Sequence, residues 1–301
     1  MMKNQKQKLW LSTALTALIA TTTVLIQDVT KNQMLVTASQ SGEMIAQGSQ
    51  SILPKQLPVG GWLAVATRPN KQGRFKYPWS PVNAKAQVAI FTDENNNWKQ
   101  VKPGTSLLGI TPGLSQEIKF KRSDKEPYGC DDIPTQMATF TAARPFPEGP
   151  IWLLPPGSNP TATALRLEQL KLDKIPTNIL PANRRKASDA RAWKAGSSTI
   201  LLQKQSSLKV KLTVLVNSQV VFTANEEKYF FTGAAKTPVN LSTDGEPGIS
   251  QPVGAFQLSA NQPPVIVLWE PGYEGHGFSI LASVKGKMQR INQGSVYFCA
   301  F

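Results

Sequence analysis

The chain has 301 residues, with 33 Lys and Arg against 19 Asp and Glu, a formal net charge of +14, and a single histidine. That length allows one large domain or two small ones with an adequate core, and one histidine excludes every metal site built on two or more imidazoles, H-E-x-x-H included. The cationic excess attracts polyanions such as envelope phosphates, acidic polysaccharide or anionic lipid.

Met1 to Lys8 carries Lys3, Lys6 and Lys8 and no acid, and Leu9 to Ile26 then runs for 18 residues without a charge. A basic start before an apolar core is the layout of a secretory signal, because the cations stay on the cytoplasmic side while the core enters the bilayer. Val36-Thr37-Ala38 offers small residues for cleavage, so residues 1–38 read as a signal peptide or, uncleaved, as an anchor. With no Cys before Cys130, a lipid anchor lacks its attachment site. Residues 1–38 hold four Lys against one Asp, so residues 39–301 keep +11 of the +14.

The polar, small residues 39–53 form a flexible lead-in. Residues 54–154 are a Pro-rich β region: 15 of the 23 prolines lie between Pro54 and Pro160. Each lacks a backbone donor, so strands there are short or peripheral. The pattern predicts strands at Trp62–Thr67, Gln87–Thr92, Gln116–Lys121, Gln136–Thr141 and Ile151–Leu154. Residues 155–160 (PPGSNP) read as a linker, and residues 161–301 as an antiparallel β domain.

Within that domain Thr161–Lys171 leans to strand. Thr199–Gln203, Leu208–Val216 and Gln219–Thr223 follow, with Asn217-Ser218 as a tight hairpin turn. Further strands are predicted at Val265–Trp269, Phe278–Val284, Met288–Ile291 and Val296–Phe301. Many short strands punctuated by Gly, Pro and Asn predict an all-β fold, an antiparallel β-sandwich or Greek-key type, as one body or two packed β subdomains.

Cys130 and Cys299 are the two cysteines. In an oxidising compartment the economical reading is a disulfide, which would close a loop of about 170 residues for about 3–5 kcal/mol of chain entropy. A free buried pair is the alternative. Arg68, Lys71, Arg74, Lys76 and Trp79 interleave cations with an aromatic, which suits an anionic glycan or another polyanion: the cations grip phosphate or carboxylate while the ring stacks on a sugar. Arg184–Lys194 is a second basic stretch, read as a helical turn.

His276 sits between glycines and could serve a nucleophilic Cys130 oriented by Asp131 or Asp132. Leu268–Ile280 is also similar to the strand–turn half of a βγ-crystallin motif. Trp269, Glu270, Tyr273, Gly275 and Phe278 fill its aromatic, Glu and aromatic-x-Gly positions and the following aromatic position. The likeness spans 13 residues, with Trp269 to Tyr273 one residue short and no Asn/Asp-x-x-Ser-Ser calcium segment. It implies a Greek-key turn and nothing more.

Asp93–Asn97 begins like a calcium loop, but Trp98 replaces the turn glycine and Gly104 the bidentate Glu. Ser206-x-x-Lys209 precedes a strand instead of opening a helix. The expectation is therefore an exported, non-enzymatic envelope or extracellular β-protein without cofactor or metal. It would act as a structural or binding module for an anionic envelope component or glycan, with no specific nucleic acid. It would meet the membrane only through an uncleaved N-terminus. The competing expectation is a secreted hydrolase using carboxylates or Cys130 with His276.

Overall fold

In the computed structural model, β1 (Trp62–Ala66) pairs with β2 (Gln87–Phe91) on one side and with β6 (Gly149–Leu154) on the other. With β3 (Ser106–Thr111), β4 (Leu114–Pro127) and β5 (Pro134–Ala142) they close an antiparallel barrel in the order β1-β2-β5-β4-β3-β6. In this barrel β3, β4 and β5 form a meander, β2 lies beside β5 and β6 beside β3, so the connectivity is Greek-key. The residues described are 53–66, 87–91, 98–127, 134–144, 146–147, 149–158, 161–230, 236–272 and 275–297. The proposed signal segment, most of the lead-in and the expected end strand beyond Tyr297 lie outside them.

Two further sheets follow. β7 (Thr163–Leu165) adds to β13 (Gln251–Gln257), β14 (Val265–Pro271), β15 (Gly275–Val284) and β16 (Lys287–Tyr297) in the order β16-β15-β14-β13-β7. β8 (Glu168–Leu170), β9 (Ala190–Ala195), β10 (Ser198–Lys204), β11 (Lys209–Val216) and β12 (Gln219–Glu227) form the other, in reverse chain order from β12. The all-β antiparallel expectation is met. The crystallin-like segment is an ordinary pair of neighbouring strands, β14 and β15, within a meander; the Greek-key element belongs to the barrel instead.

Side-chain alternation explains the stacking. On β1, Trp62 and Ala64 point into the barrel with Trp98, Phe120, Phe140 and Ile151. Leu63 and Val65 point outward and meet Trp152 of β6 and Val267, Trp269 and Ile280 of the β13–β16 sheet. Strands buried on both faces need uninterrupted apolar runs, which is what Trp62-Leu-Ala-Val65 and Ile151-Trp-Leu153 are. The opposite face of the β13–β16 sheet, with Ile266, Leu268 and Leu281, packs on Ile200, Leu212 and Val214. That sheet is thus a central layer between the barrel and the β8–β12 sheet. Ile175 and Leu180 cover Ala190, Ala192 and Leu201 on the latter's outer side.

Turn chemistry fixes the registers. Asn217 and Ser218 both take positive φ, 49° and 68°, the two-residue turn that matches strand twist. Ser206 and Lys209 sit at the corner of the β10–β11 hairpin, where the Ser206 hydroxyl accepts from Leu208 N at 3.4 Å and Lys209 pairs with Glu227 at 3.6 Å. Three strands, β3, β9 and β13, lie where none was predicted, and Met288–Ile291 and the start of Val296–Phe301 are one strand, β16. β3 contains Gly109, where a Cβ would lie 2.9 Å from Phe146, so the glycine makes room for a barrel ring. β13 carries Pro252 and Gly254, and the sheet tolerates them at a register shift between those two residues. Arg184–Lys194 is half turn and half strand: Arg184 ends a 3-10 turn, Lys186 O accepts from Asp189 N and Ala190 N at 2.9 Å, and Ala190–Lys194 then run into β9, with Ala190 and Ala192 buried.

Candidate functional site: a cationic cleft beside β9

Arg68, Lys71, Arg74, Lys76 and Trp79 lie outside the described residues, as do Asp93–Asn97, Asp131, Asp132 and both Cys130 and Cys299. Their expected roles in glycan binding and as a disulfide rest on the sequence. Among the described residues no group of three or more His, Cys, Asp or Glu could hold a metal ion, and no helix is long and apolar enough to cross a membrane.

His276 is described. It is the second residue of β15, opposite Pro271, is 6% exposed, and packs edge-on against Phe278 at 5.6 Å and Trp269 at 6.3 Å. Burial among these rings pushes its pKa down to about 4, so the imidazole is neutral at neutral pH. An unfolded chain exposes the ring and lets it bind a proton near pH 6.5. The stability tied to this ring is therefore complete above about pH 6.5 and is lost as the pH falls toward 4, about 3 kcal/mol in all. Urea unfolding of the protein at pH 7 and pH 4 should show that loss, and His276→Leu should remove most of the difference. An unchanged difference in the variant would contradict this assignment.

Between the edges of the two sheets lies an ionic cluster centred on Arg290 of β16. Its Nη1 donates to Glu226 Oε1 at 2.7 Å, its Nη2 to Glu270 Oε1 at 2.8 Å, and its Nε to Ser279 Oγ at 3.0 Å. Glu226 Oε2 also accepts from Ser250 N at 2.7 Å. Burial alone would lower the guanidinium's pKa, but the charges of Glu226 and Glu270 raise it overall. Nearby, Lys228 and Glu246 form a buried ion pair. Lys228 Nζ donates to Thr237 Oγ1 at 3.1 Å, and Glu246 Oε1 accepts from Asn240 N at 3.0 Å. These groups satisfy one another across β12, β14 and β16, which is the geometry of a brace.

The groups that face open space lie elsewhere. Where β8 runs into the turn before β9, the chain borders a cleft of about 440 Å³. Its floor is apolar: Leu170, Leu172, Ala190 and Leu241. Its polar rim is Gln169, Lys171, Arg191 and Ser242. Arg191 is set firmly, since its Nη1 pairs with Asp244 Oδ1 and its guanidinium lies 5.0 Å over the Trp193 ring. With the Gln251 side-chain amide assigned the orientation that satisfies both neighbours, its nitrogen donates to Asp244 Oδ1 (3.0 Å) and its oxygen accepts from Gly245 N (2.9 Å), which holds Asp244 in turn.

The Nε of Arg191 is buried without a hydrogen-bond partner. The walls are tied as well: Leu241 N donates to Ser188 O at 3.1 Å, and Arg185 donates to Ile175 O at 2.6 Å and Leu180 O at 3.3 Å. A fixed cation, a second cation on a flexible stem and an apolar floor can hold a ring that carries an acidic group.

The basic stretch 184–194 pointed toward Arg191, but Lys171, Gln169 and Ser242 carried no local signal, because chain segments about 20 and 50 residues from Arg191 bring them in. No family model matches the sequence, and neither a curated protein nor a solved structure matches it.

Proposed function

We propose that the chain is an exported, non-enzymatic β-protein of the cell envelope or extracellular space that binds an anionic glycan or related polyanion. The observation that carries this reading is the pair of cations on one cleft, Arg191 braced by Asp244 and Trp193 and Lys171 on a flexible stem, over an apolar floor. The signal-like residues 1–38 and the +11 left on residues 39–301 support it, because a basic surface raises the local concentration of acidic polymers. An oxidised Cys130–Cys299 pair would accompany this location, and intact mass of the unreduced protein, lighter by two hydrogens, would register it.

Titration of the purified protein with an acidic oligosaccharide at low salt is expected to give saturable binding that weakens as salt rises. Arg191→Gln should weaken it about tenfold and Lys171→Gln about threefold, in line with one fixed and one mobile charge-assisted contact. Equal binding by wild type and both variants, or no binding at low salt, would remove the proposal.

A further inference from the structure

A second cavity of about 200 Å³ lies at the seam where the barrel meets the β13–β16 sheet. One wall is the barrel's Thr111, Pro112, Pro147 and Pro150. The other is Val253 to Phe256 of β13, with Leu165 at the end of β7 and Leu167 from the connection to β8. The volume is that of roughly six or seven water molecules, enough for one aromatic ring or a short branched chain with a head group.

The walls are preformed. Three prolines fix the backbone on the barrel side, and Phe256 is locked behind the pocket against Trp152, 5.6 Å between ring centroids. On the other wall Gly254 approaches Pro150 so closely that a Cβ would lie 2.9 Å from its Cγ. The register shift between Pro252 and Gly254 marks where β13 bends. The lining is thus apolar and stiff, with few polar atoms. The buried Thr111 hydroxyl makes a long 3.4 Å bond to Pro150 O. At the mouth stands Arg166, exposed on the surface, with no ion pair to any acid among the described residues.

We infer that this seam cavity binds a small apolar carboxylate, an aromatic or branched-chain acid. Its body would occupy the Pro/Leu/Val wall and its carboxylate would take the Arg166 guanidinium. The planar fork of Arg matches a carboxylate in a two-bond contact, which a neutral alcohol cannot supply and an amine opposes. An apolar pocket with one orienting charge selects by shape and charge sign together. The inference is independent of the Arg191 cleft, whose residues do not border this cavity.

Phenylacetate, benzyl alcohol and phenethylamine serve as probes on the full chain, followed by amide chemical shifts. Phenylacetate is expected to give saturable shifts in Val253–Phe256 and Arg166, and the other two much smaller ones. Arg166→Gln, a surface change, should weaken phenylacetate at least about tenfold without moving the melting temperature. Leu167→Trp, checked for an unchanged fold by its spectrum, should abolish the shifts by filling the mouth. Arg191→Gln should leave them intact, so a failure of the glycan reading is distinguishable from a failure here. No saturable shift, equal shifts from acid and amine, or undiminished binding by Arg166→Gln would each overturn the inference.

Discussion

Arg290→Met is expected to cost about 3–5 kcal/mol of unfolding free energy, the loss typical of removing one partner from a buried ion pair. The side chain of Glu226 is 5% exposed and would keep only the Ser250 N–H for its carboxylate. A charge in that position without its counter-ion is what makes the loss large; Glu270, a third exposed, can recover water. Arg290→Lys should fall between, since one ammonium cannot reach Glu226, Glu270 and Ser279 with separate N–H groups as the guanidinium does. The double variant Arg290→Met with Glu226→Leu should regain a good part of the stability, because an apolar pair removes the unpaired charge. Urea midpoints with unchanged slopes would report these differences. A loss below about 1 kcal/mol for Arg290→Met would mean that water already reaches Glu226.

Trp152→Ala is expected to cost a similar amount, about 3–5 kcal/mol, with a different signature. Trp152 is fully buried, lies against Phe256 and belongs to the cluster that joins barrel and central sheet. Removing the ring opens a cavity at that seam and weakens the coupling between layers, so calorimetry should show a broadened or split transition against a single one expected of the wild type. The indole Nε1 is buried without a hydrogen-bond partner, which makes Trp152→Phe the informative control. It keeps most of the apolar contact, removes the unsatisfied donor and should cost much less than alanine. Gly61 tests the same place from the other side. Its φ is +73°, and a Cβ there would lie 2.2 Å from Leu153 O and 2.7 Å from the indole nitrogen. A single sharp transition in Trp152→Ala would show that the layers are held together elsewhere.

The parts of this fold that were legible in the sequence are those in which neighbours along the chain decide the outcome. The Asn217-Ser218 turn and the flanking alternation of Leu208–Val216 announce a hairpin, and the double-faced runs at Trp62 and Ile151 announce buried strands. Local rules passed over β3, β9 and β13: β9 hides in a basic stretch that reads as a turn, while β3 contains Gly109 and β13 contains Pro252. One answers to a ring from Phe146 and the other to a bulge, and both are facts of packing. The ionic brace was invisible for the same reason: Glu226 and Arg290 are 64 residues apart. The cleft was half visible, since a basic stretch flagged Arg191, while the groups that define its pocket come from three separated segments.

The central layer has a temporal meaning as well as a spatial one. A chain delivered N-terminus first produces the barrel strands and β8 to β12 before residues 251–284, which supply the middle sheet's contacts to both. Until those residues arrive, Leu63, Val65 and Trp152 on one side and Ile200, Leu212 and Val214 on the other lack the central-sheet side chains that pack on them. Sequential delivery therefore leaves two sticky surfaces open for most of synthesis and closes both in one late step. The late strands are the keystone of assembly, and a holdase that shields apolar surface would act on this chain mainly before residue 251 has emerged.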